Sequence, residues 1–119
     1  MNTVTLIGNV GKDPELRYTA TGTAQVTFSV ALNSKRKGTD GESKEHTDWF
    51  NIVQWGEAAE RTSKFVGKGD LVGILGRLQN REWTDDKGTK HSRTEVFASQ
   101  VEFLGRRRDA AADADAGWD

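Results

Sequence analysis

The sequence is poor in the residues that build covalent and metal frameworks: it has no cysteine, one proline and two histidines among 119 residues. Without cysteine there can be no disulfide framework and no thiolate metal site. His46 and His91 lie far apart along the chain and have no neighbouring ligand pattern, which argues against a zinc centre. We therefore expect no cofactor and no redox chemistry.

Long apolar stretches are also missing. No run approaches the roughly 20 apolar residues that a membrane-spanning helix needs. The N-terminal segment MNTVTLIGNVGK has no basic region followed by a long apolar stretch, so it does not resemble a secretion signal. We expect a soluble protein with no membrane contact that acts where it is made.

Catalytic constellations are absent as well. Asp85 and Asp86 are adjacent, so their side chains would point apart, and TDDKG is typical of a turn. The segment GKGDLVGILG contains glycines but lacks the spacing of a phosphate-binding P-loop. We interpret both histidines as solvated loop residues. With no nucleophile and base in a recognisable arrangement, the sequence predicts a protein that is not an enzyme.

The net charge of -1 hides an uneven distribution. All 17 Lys and Arg lie within residues 1–108 beside 14 acidic residues, whereas the last eleven residues hold four aspartates and no base. The body is therefore mildly basic and the end acidic. Charge alone leaves two interpretations open: an ordinary solvated surface with a frayed terminus, or a body that attracts a polyanion.

What the sequence does contain is a series of strand patterns in a chain long enough for one domain. In TAQVTFSVALN, Ala24, Val26, Phe28, Val30 and Leu32 alternate with polar residues, which indicates one buried and one open face. The other predicted strands are TVTLIGNV, TDWFNIVQWG, GDLVGILGRLQNREW and SRTEVFASQVEFLG.

The connections complete the fold prediction. Ser34 to His46 has no apolar residue and is predicted to be a long exposed loop, whereas EAAERTSKFV predicts a short amphipathic helix that ends at Gly67. A change of buried parity near Ser99 indicates a β-bulge. Five strands with a helix between the third and fourth predict an all-β protein, the OB-fold, a five-stranded Greek-key barrel.

The outward faces of two strands carry the functional prediction. Alternation places Val72, Ile74 and Leu78 inward. It places Leu75, Arg77, Gln79, Arg81 and Trp83 outward. Trp49 and Trp55 share one parity on the preceding strand, about 20 Å apart at the usual rise per residue.

Tryptophan beside arginine at strand spacing is typical of a surface for single-stranded nucleic acid. Every base has a face that can stack on an indole, and cationic side chains neutralise phosphates. For Trp49 and Trp55, burial in the core remains an alternative, because mid-strand aromatics are usually buried. The five phenylalanines are assigned to the core or to a subunit contact; they are Phe28, Phe50, Phe65, Phe97 and Phe103.

Four segments together resemble the bacterial-type single-stranded DNA-binding protein family over about residues 1–105. They are NTVTLIGNVGKDPELRY, TDWFNIVQWGEAAE, VGKGDLVGILGRLQNREWTD and TEVFA. The resemblance implies an OB-fold domain at residues 1–105, a homotetramer, and sequence-tolerant binding of single-stranded DNA during replication, recombination and repair. It also implies a cytoplasmic, nucleoid-associated location in bacteria.

The resemblance further implies which residues contact DNA. Trp49, Trp55 and Trp83 match stacking positions, and Lys35 stands where several members have another tryptophan. Arg81 and Lys68 match basic positions along the DNA path, and Arg17 falls in the GKDPELRY segment. Three further cations complete the predicted DNA-binding set from the residues themselves: Arg77 on the outward face of its strand, and Lys35 and Arg36 in the basic cluster. Glu57 and Glu82 are acidic where relatives can be basic.

The C-terminal end departs from the family pattern. Residues 106–119 form a short acidic tail, expected to be disordered, that lacks the long family linker and the closing Pro-Phe. Asp113, Asp115, Trp118 and Asp119 keep acid and an aromatic ring, so we expect either a reduced docking tip for DNA replication and repair proteins or an inert end. Two other functions remain as alternatives. One is an OB-fold interaction module of the replication or restart machinery that binds proteins first and DNA weakly, and the other is an OB-fold enzyme accessory or nuclease.

Overall fold

The computed structural model describes residues 1–106, which form six strands and one helix. In chain order these are β1 Val4–Val10, β2 Glu15–Tyr18, β3 Ala24–Lys37, β4 Ser43–Trp55, α1 Glu57–Phe65, β5 Leu71–Thr84 and β6 Lys90–Gly105.

Five of the strands close into a barrel. The order β1-β5-β6-β4-β3 returns to β1 through the pairs Asn9 with Ala31 and Val10 with Val30. All neighbours are antiparallel except β4 and β6, which run parallel over a short stretch. The helix α1 lies between β4 and β5, the fourth and fifth strand segments. The predicted all-β barrel with one short helix is confirmed.

The sixth strand, β2, was not predicted as a separate element. It continues the line of β1 along β3 after an interruption around Pro14, with Glu15 opposite Thr27 and Tyr18 opposite Ala24. Proline lacks the N–H that a strand ladder needs, so the break falls where the sequence demands it. Charged residues of β2 are thereby held beside the outer face of β3.

The core is built from the inward parity of the barrel strands. Its largest fully buried side chains are aliphatic; they are Val26, Val30, Ile52, Val72, Ile74 and Val96. Phe28 lies among them and is buried as predicted. Phe65 and Phe103 are exposed, so they are not core residues of the single chain, and a subunit contact stays the prediction for both.

A β-bulge lies where the parity change predicts it. Leu75 pairs with Gln100 and Gly76 with Ala98, which leaves Ser99 without a partner in the ladder. The Ser99 hydroxyl donates a hydrogen bond to the Leu75 carbonyl at 3.0 Å. A Cβ on Gly76 would collide with the backbone of Phe97, so only glycine lets the strands approach here.

Beyond the bulge, β5 and β6 leave the barrel as a two-stranded ribbon, here called the arm (residues 77–95). The predicted burial of Leu78 is wrong, since its side chain is 45% exposed. The pairing of β1 with β5 ends at Gly76, and among residues 1–106 no further strand pairs with the arm. Asn2 instead bridges to the Leu78 backbone: its amide group donates to the carbonyl, and its oxygen accepts from the N–H.

The predicted long loop between Ser34 and His46 is also wrong. Strands β3 and β4 stay paired as far as Lys37 and Ser43, and only residues 38–42 form the turn. Gly41 adopts a positive φ of 83°, which favours glycine. The backbone ladder holds this ribbon without apolar side chains, and an apolar pattern was the only strand signal available.

The helix α1 matches its predicted position and turns Ala59 and Thr62 toward the barrel. The Thr62 hydroxyl donates to the buried side-chain oxygen of Gln54 at 2.5 Å, which ties the helix to β4. Within residues 1–106 no helix is long and apolar enough to cross a membrane.

Candidate nucleic-acid interface

One outward face runs across the sheet from β2 to the arm. The register pairs odd-numbered residues with odd-numbered residues, such as Ser29 with Asn51 and Arg81 with Arg93. Because side chains alternate along a strand, these residues point to the same side. Arg17 of β2 lies opposite Gln25 and extends the face at its edge. Polar and cationic side chains from five strand segments therefore share one surface.

A groove of about 480 Å³ lies on this face. Its cationic lining residues are Lys12, Arg17, Arg81 and Arg93. Uncharged polar side chains form much of the floor; they are Gln25, Thr27, Ser29 and Asn51. Trp49 stands at the wall, and the acidic lining residues are Glu15 and Glu95. Such a surface offers hydrogen bonds, an aromatic ring and positive charge along one path.

The indole of Trp49 lies over Gly11, where there is no room for a larger side chain. A Cβ on Gly11 would collide with the indole ring and with the Ser29 hydroxyl. The indole is 59% exposed, so the alternative that Trp49 is a core residue is wrong. It also lines a second cavity of about 590 Å³ together with Lys68 and Asn9. Trp49 thus separates two neighbouring concave surfaces, each with a cation.

Trp83 lies near the tip of the arm between polar neighbours. The His91 ring stacks on it with centroids 5.3 Å apart and an interplanar angle of 20°. The Arg81 guanidinium carbon lies 4.8 Å from the ring centroid, a cation–π arrangement. The indole remains 41% exposed. Its position on a ribbon outside the core is that of a surface side chain.

The turn at the arm tip fixes the histidine under Trp83. Asp85 accepts backbone hydrogen bonds from Lys87 and Thr89, which confirms the turn predicted for TDDKG. Its other oxygen lies 2.8 Å from His91 Nε2. The hydrogen bond from His91, with the backbone N–H of Thr89, lowers the pKa of Asp85 below its ordinary value. Asp85 is therefore an ionised acceptor at neutral pH and orients the imidazole.

Trp55 ends β4 just before α1 and is likewise exposed. It lies opposite Gln25 on the same outward parity as Trp49. Between the two indoles, Val53 has the outward parity but is buried. Trp55 is therefore not buried in the core. It does not line the groove beside Trp49, although its cross-strand partner Gln25 does.

The other predicted cations are less concentrated. Arg77 shares the outward parity but lies over the Phe97 ring, 5.9 Å from its centroid, outside the groove lining. Lys35 and Arg36 lie in the exposed end of β3 opposite Glu45 and Lys44. Adjacent strand residues face opposite sides. Lys35 therefore shares the outward parity of Trp49, whereas Arg36 points to the other side of the ribbon.

The structure adds residues that the sequence did not indicate. Arg93 lines the groove and donates a hydrogen bond to the Asn51 side-chain oxygen. Lys12 lines it from the segment between β1 and β2. Arg93 could have been predicted from its outward pairing with Arg81. That pairing, however, depends on the turn at Asp85 and on the strand register, which the sequence alone does not give.

Both histidines differ from the predicted solvated loop residues. His46 lies in β4 and His91 in β6, and each is within 2.9 Å of an aspartate oxygen, on Asp48 and Asp85 respectively. Across residues 1–106 no three or more His, Cys, Asp or Glu side chains are grouped as metal ligands.

The predicted docking residues of the tail lie outside the described residues. They are Asp113, Asp115, Trp118 and Asp119.

Sequence and structure comparisons give a consistent result. The profile of the "Single-strand binding protein family" matches residues 1–104. Single-stranded DNA-binding protein 1 of Chlorobaculum tepidum is 40% identical over 119 residues, which covers 99% of this chain and 74% of the relative.

Two solved structures share the fold. The Plasmodium falciparum SSB complex with ssDNA has a TM-score of 0.79 at 30% identity and covers 87% of this chain and 95% of its own. A deletion mutant of the single-stranded DNA binding protein from Thermus aquaticus also has a TM-score of 0.79 at 30% identity. The match covers 90% of this chain and 52% of the Thermus chain, about half its length. These likenesses confirm the OB-fold prediction.

Proposed function

The chain belongs to the single-strand binding protein family, and on that premise we propose that it coats single-stranded DNA without reading its sequence. Members of this family are DNA-binding proteins and not enzymes, in agreement with the sequence prediction. The proposed role is to protect exposed strands during replication, recombination and repair, on the nucleoid DNA of a bacterial cytoplasm.

The observation that carries the proposal is the arrangement of the three tryptophans. Trp49, Trp55 and Trp83 are all exposed and occupy strand positions of outward parity, with Arg81 and Arg93 between them across the sheet. In the proposed complex, bases stack on the indoles and the phosphates lie along the cations. Each stacked base is worth on the order of 1 to 3 kcal/mol, and every base can stack, so affinity does not depend on sequence.

We further propose that the protein acts as a homotetramer and that its acidic tail contacts replication or repair proteins. Support for self-association comes from Ile7 and Leu75, two exposed apolar side chains on the outward parity of the adjacent strands β1 and β5. The docking proposal rests on the aspartates and Trp118 of the tail.

A fluorescence titration tests the DNA-binding proposal. Trp118 is replaced by phenylalanine so that only the three described indoles report, and oligo-thymidine or a matched duplex is added at low and high salt. We expect strong quenching by the single strand that largely survives salt, because stacking does not depend on counterion release as phosphate contacts do. The duplex should quench little, because its bases are already stacked.

Weak quenching that high salt abolishes would contradict this proposal. It would favour the OB-fold interaction module instead. A requirement for a divalent metal ion, together with cleavage of the DNA, would favour the OB-fold enzyme accessory or nuclease.

A further inference from the structure

One carboxylate in the groove has no evident part in phosphate binding. Glu95 lies on β6 with the outward parity of the arm, opposite Gln79, and lines the groove. Its residue surface is only 7% exposed. A buried negative charge opposes the binding of a polyanion, so its presence in this groove calls for a different role.

The two buried carboxylates, Asp70 and Glu95, differ in their hydrogen bonds. Asp70 accepts a hydrogen bond of 2.8 Å from the Gly67 N–H, which fixes the turn before β5. Glu95 accepts no hydrogen bond from the described residues, and its one ionic contact is Arg81, whose Nε lies 3.5 Å from Glu95 Oε1. That distance is long for a charged hydrogen bond.

The acceptor capacity of Glu95 is thus largely unused. An ionised carboxylate has two oxygens with about four lone-pair positions and no donor. Within residues 1–106 no fully buried side-chain nitrogen or oxygen lacks a hydrogen-bond partner, so the oxygens of Glu95 keep some contact with the groove that this residue lines. Arg93 and Asn51 nearby are engaged with each other. Glu95 is therefore available to accept a hydrogen bond from a ligand in the groove.

We propose that Glu95 accepts a hydrogen bond from the exocyclic amino group of a base, which gives this otherwise tolerant groove a preference for cytosine over uracil or thymine. Cytosine presents an amino donor at the position where uracil and thymine present a carbonyl oxygen. A carboxylate attracts the first and repels the second. The inference rests on the proposed function, because it requires single-stranded DNA in the groove.

The position of Arg81 fits this role. Its guanidinium lies close to both partners, 3.5 Å from Glu95 Oε1 through Nε and 4.8 Å from the centroid of the Trp83 ring through its central carbon. In the proposed complex Arg81 turns toward a phosphate, which leaves Glu95 accessible to the edge of a base stacked nearby. The charge of Arg81 then still offsets that of the carboxylate, so the two groups act on neighbouring parts of one nucleotide.

The test compares two oligonucleotides that differ only in the base. Oligo-deoxycytidine and oligo-deoxyuridine of equal length are titrated against the unaltered protein and against Glu95→Gln at the same salt concentration. The measured quantity is the ratio of the two affinities. Stacking within the free strands affects both proteins equally, so the change in the ratio isolates the contact made by residue 95.

We expect Glu95→Gln to lower the preference for cytosine by about fivefold, since a carboxamide can also donate to the uracil carbonyl. Glu82→Gln is the control, because it removes the same charge from the neighbouring strand of the arm. Its ratio should equal that of the unaltered protein. An equal fall in both variants would overturn the proposal, because charge alone would then explain it.

Thermal unfolding establishes that each variant folds. Should Glu95→Gln fail to fold, Glu95→Asp keeps the charge but withdraws the carboxylate by one methylene, and it should also lower the ratio. An unchanged ratio in the variant that folds overturns the role of Glu95 while leaving DNA binding intact. Failure of the unaltered protein to bind either oligonucleotide would instead contradict the proposed function itself.

Discussion

Replacing Trp49 by alanine should lower the affinity for single-stranded DNA by about 5- to 150-fold, the range expected for loss of one stacked base. The reason is the position of the ring: it lies over Gly11, is 59% exposed and borders two cavities that carry cations. Equilibrium titration with oligo-thymidine measures the loss. The free energy of unfolding should fall by less than for a core substitution, because more than half of the surface of Trp49 is exposed in the folded protein.

The matched control for this variant is Phe65→Ala. Phe65 is also 59% exposed, but it lies on α1, away from the outward face of the sheet. Its removal should leave the affinity unchanged. Equal losses in the two variants, or none with Trp49→Ala, would show that Trp49 does not stack on bases. Adding Trp83→Ala to Trp49→Ala should lower the affinity further if separate bases stack on the two rings.

Replacing Ile52 by alanine should lower the stability of the protein but leave its affinity for single-stranded DNA nearly unchanged. Ile52 lies three residues after Trp49 on the same strand but points inward and is 0% exposed. Removing its buried methyl and methylene groups should lower the free energy of unfolding by about 2 to 5 kcal/mol through lost burial and a cavity. Urea denaturation measures this loss.

The folded fraction of Ile52→Ala should still bind oligo-thymidine with an affinity close to that of the unaltered protein. The two variants on β4 therefore form a crossed pair, one affecting binding and the other stability. If Ile52→Ala abolished binding while the protein stayed folded, the separation of the strand into a core face and a binding face would be wrong.

The barrel was predictable because its strands alternate and its helix has its own period. The parity of Val26, Val30 and Ile74 gave the core face, and the change near Ser99 gave the bulge. These signals are local: each can be recognised within a few residues of sequence. The same alternation turned Trp83 outward and placed Trp49 and Trp55 on one face, but it left burial of Trp49 and Trp55 in the core open.

What could not be predicted depends on contacts between distant residues or on strands without apolar side chains. The paired ribbon at residues 34–46 is held by backbone hydrogen bonds, which leave no pattern of hydrophobicity. Leu78 alternates as a core residue would, but the strand that would cover it ends at Gly76. Sequence alone does not show where a neighbouring strand stops.

The same reason explains the residues missed in the groove. The stacking of His91 on Trp83, and the burial of Glu95, follow from the register between β5 and β6. Moving that register by one residue would turn every side chain of one strand to the other face. The composition of the site could be predicted, but the contacts within it required the pairing.

Photochemical cross-linking tests the central claim most directly, namely that the outward face of the sheet and arm is the DNA-binding surface. The protein is irradiated with a single-stranded oligonucleotide that contains 5-iodouridine, and the linked peptides are identified by mass spectrometry. The account predicts cross-links at Trp49, Trp55 and Trp83. Cross-links concentrated at Phe65 and Phe103, with none at these tryptophans, would contradict it.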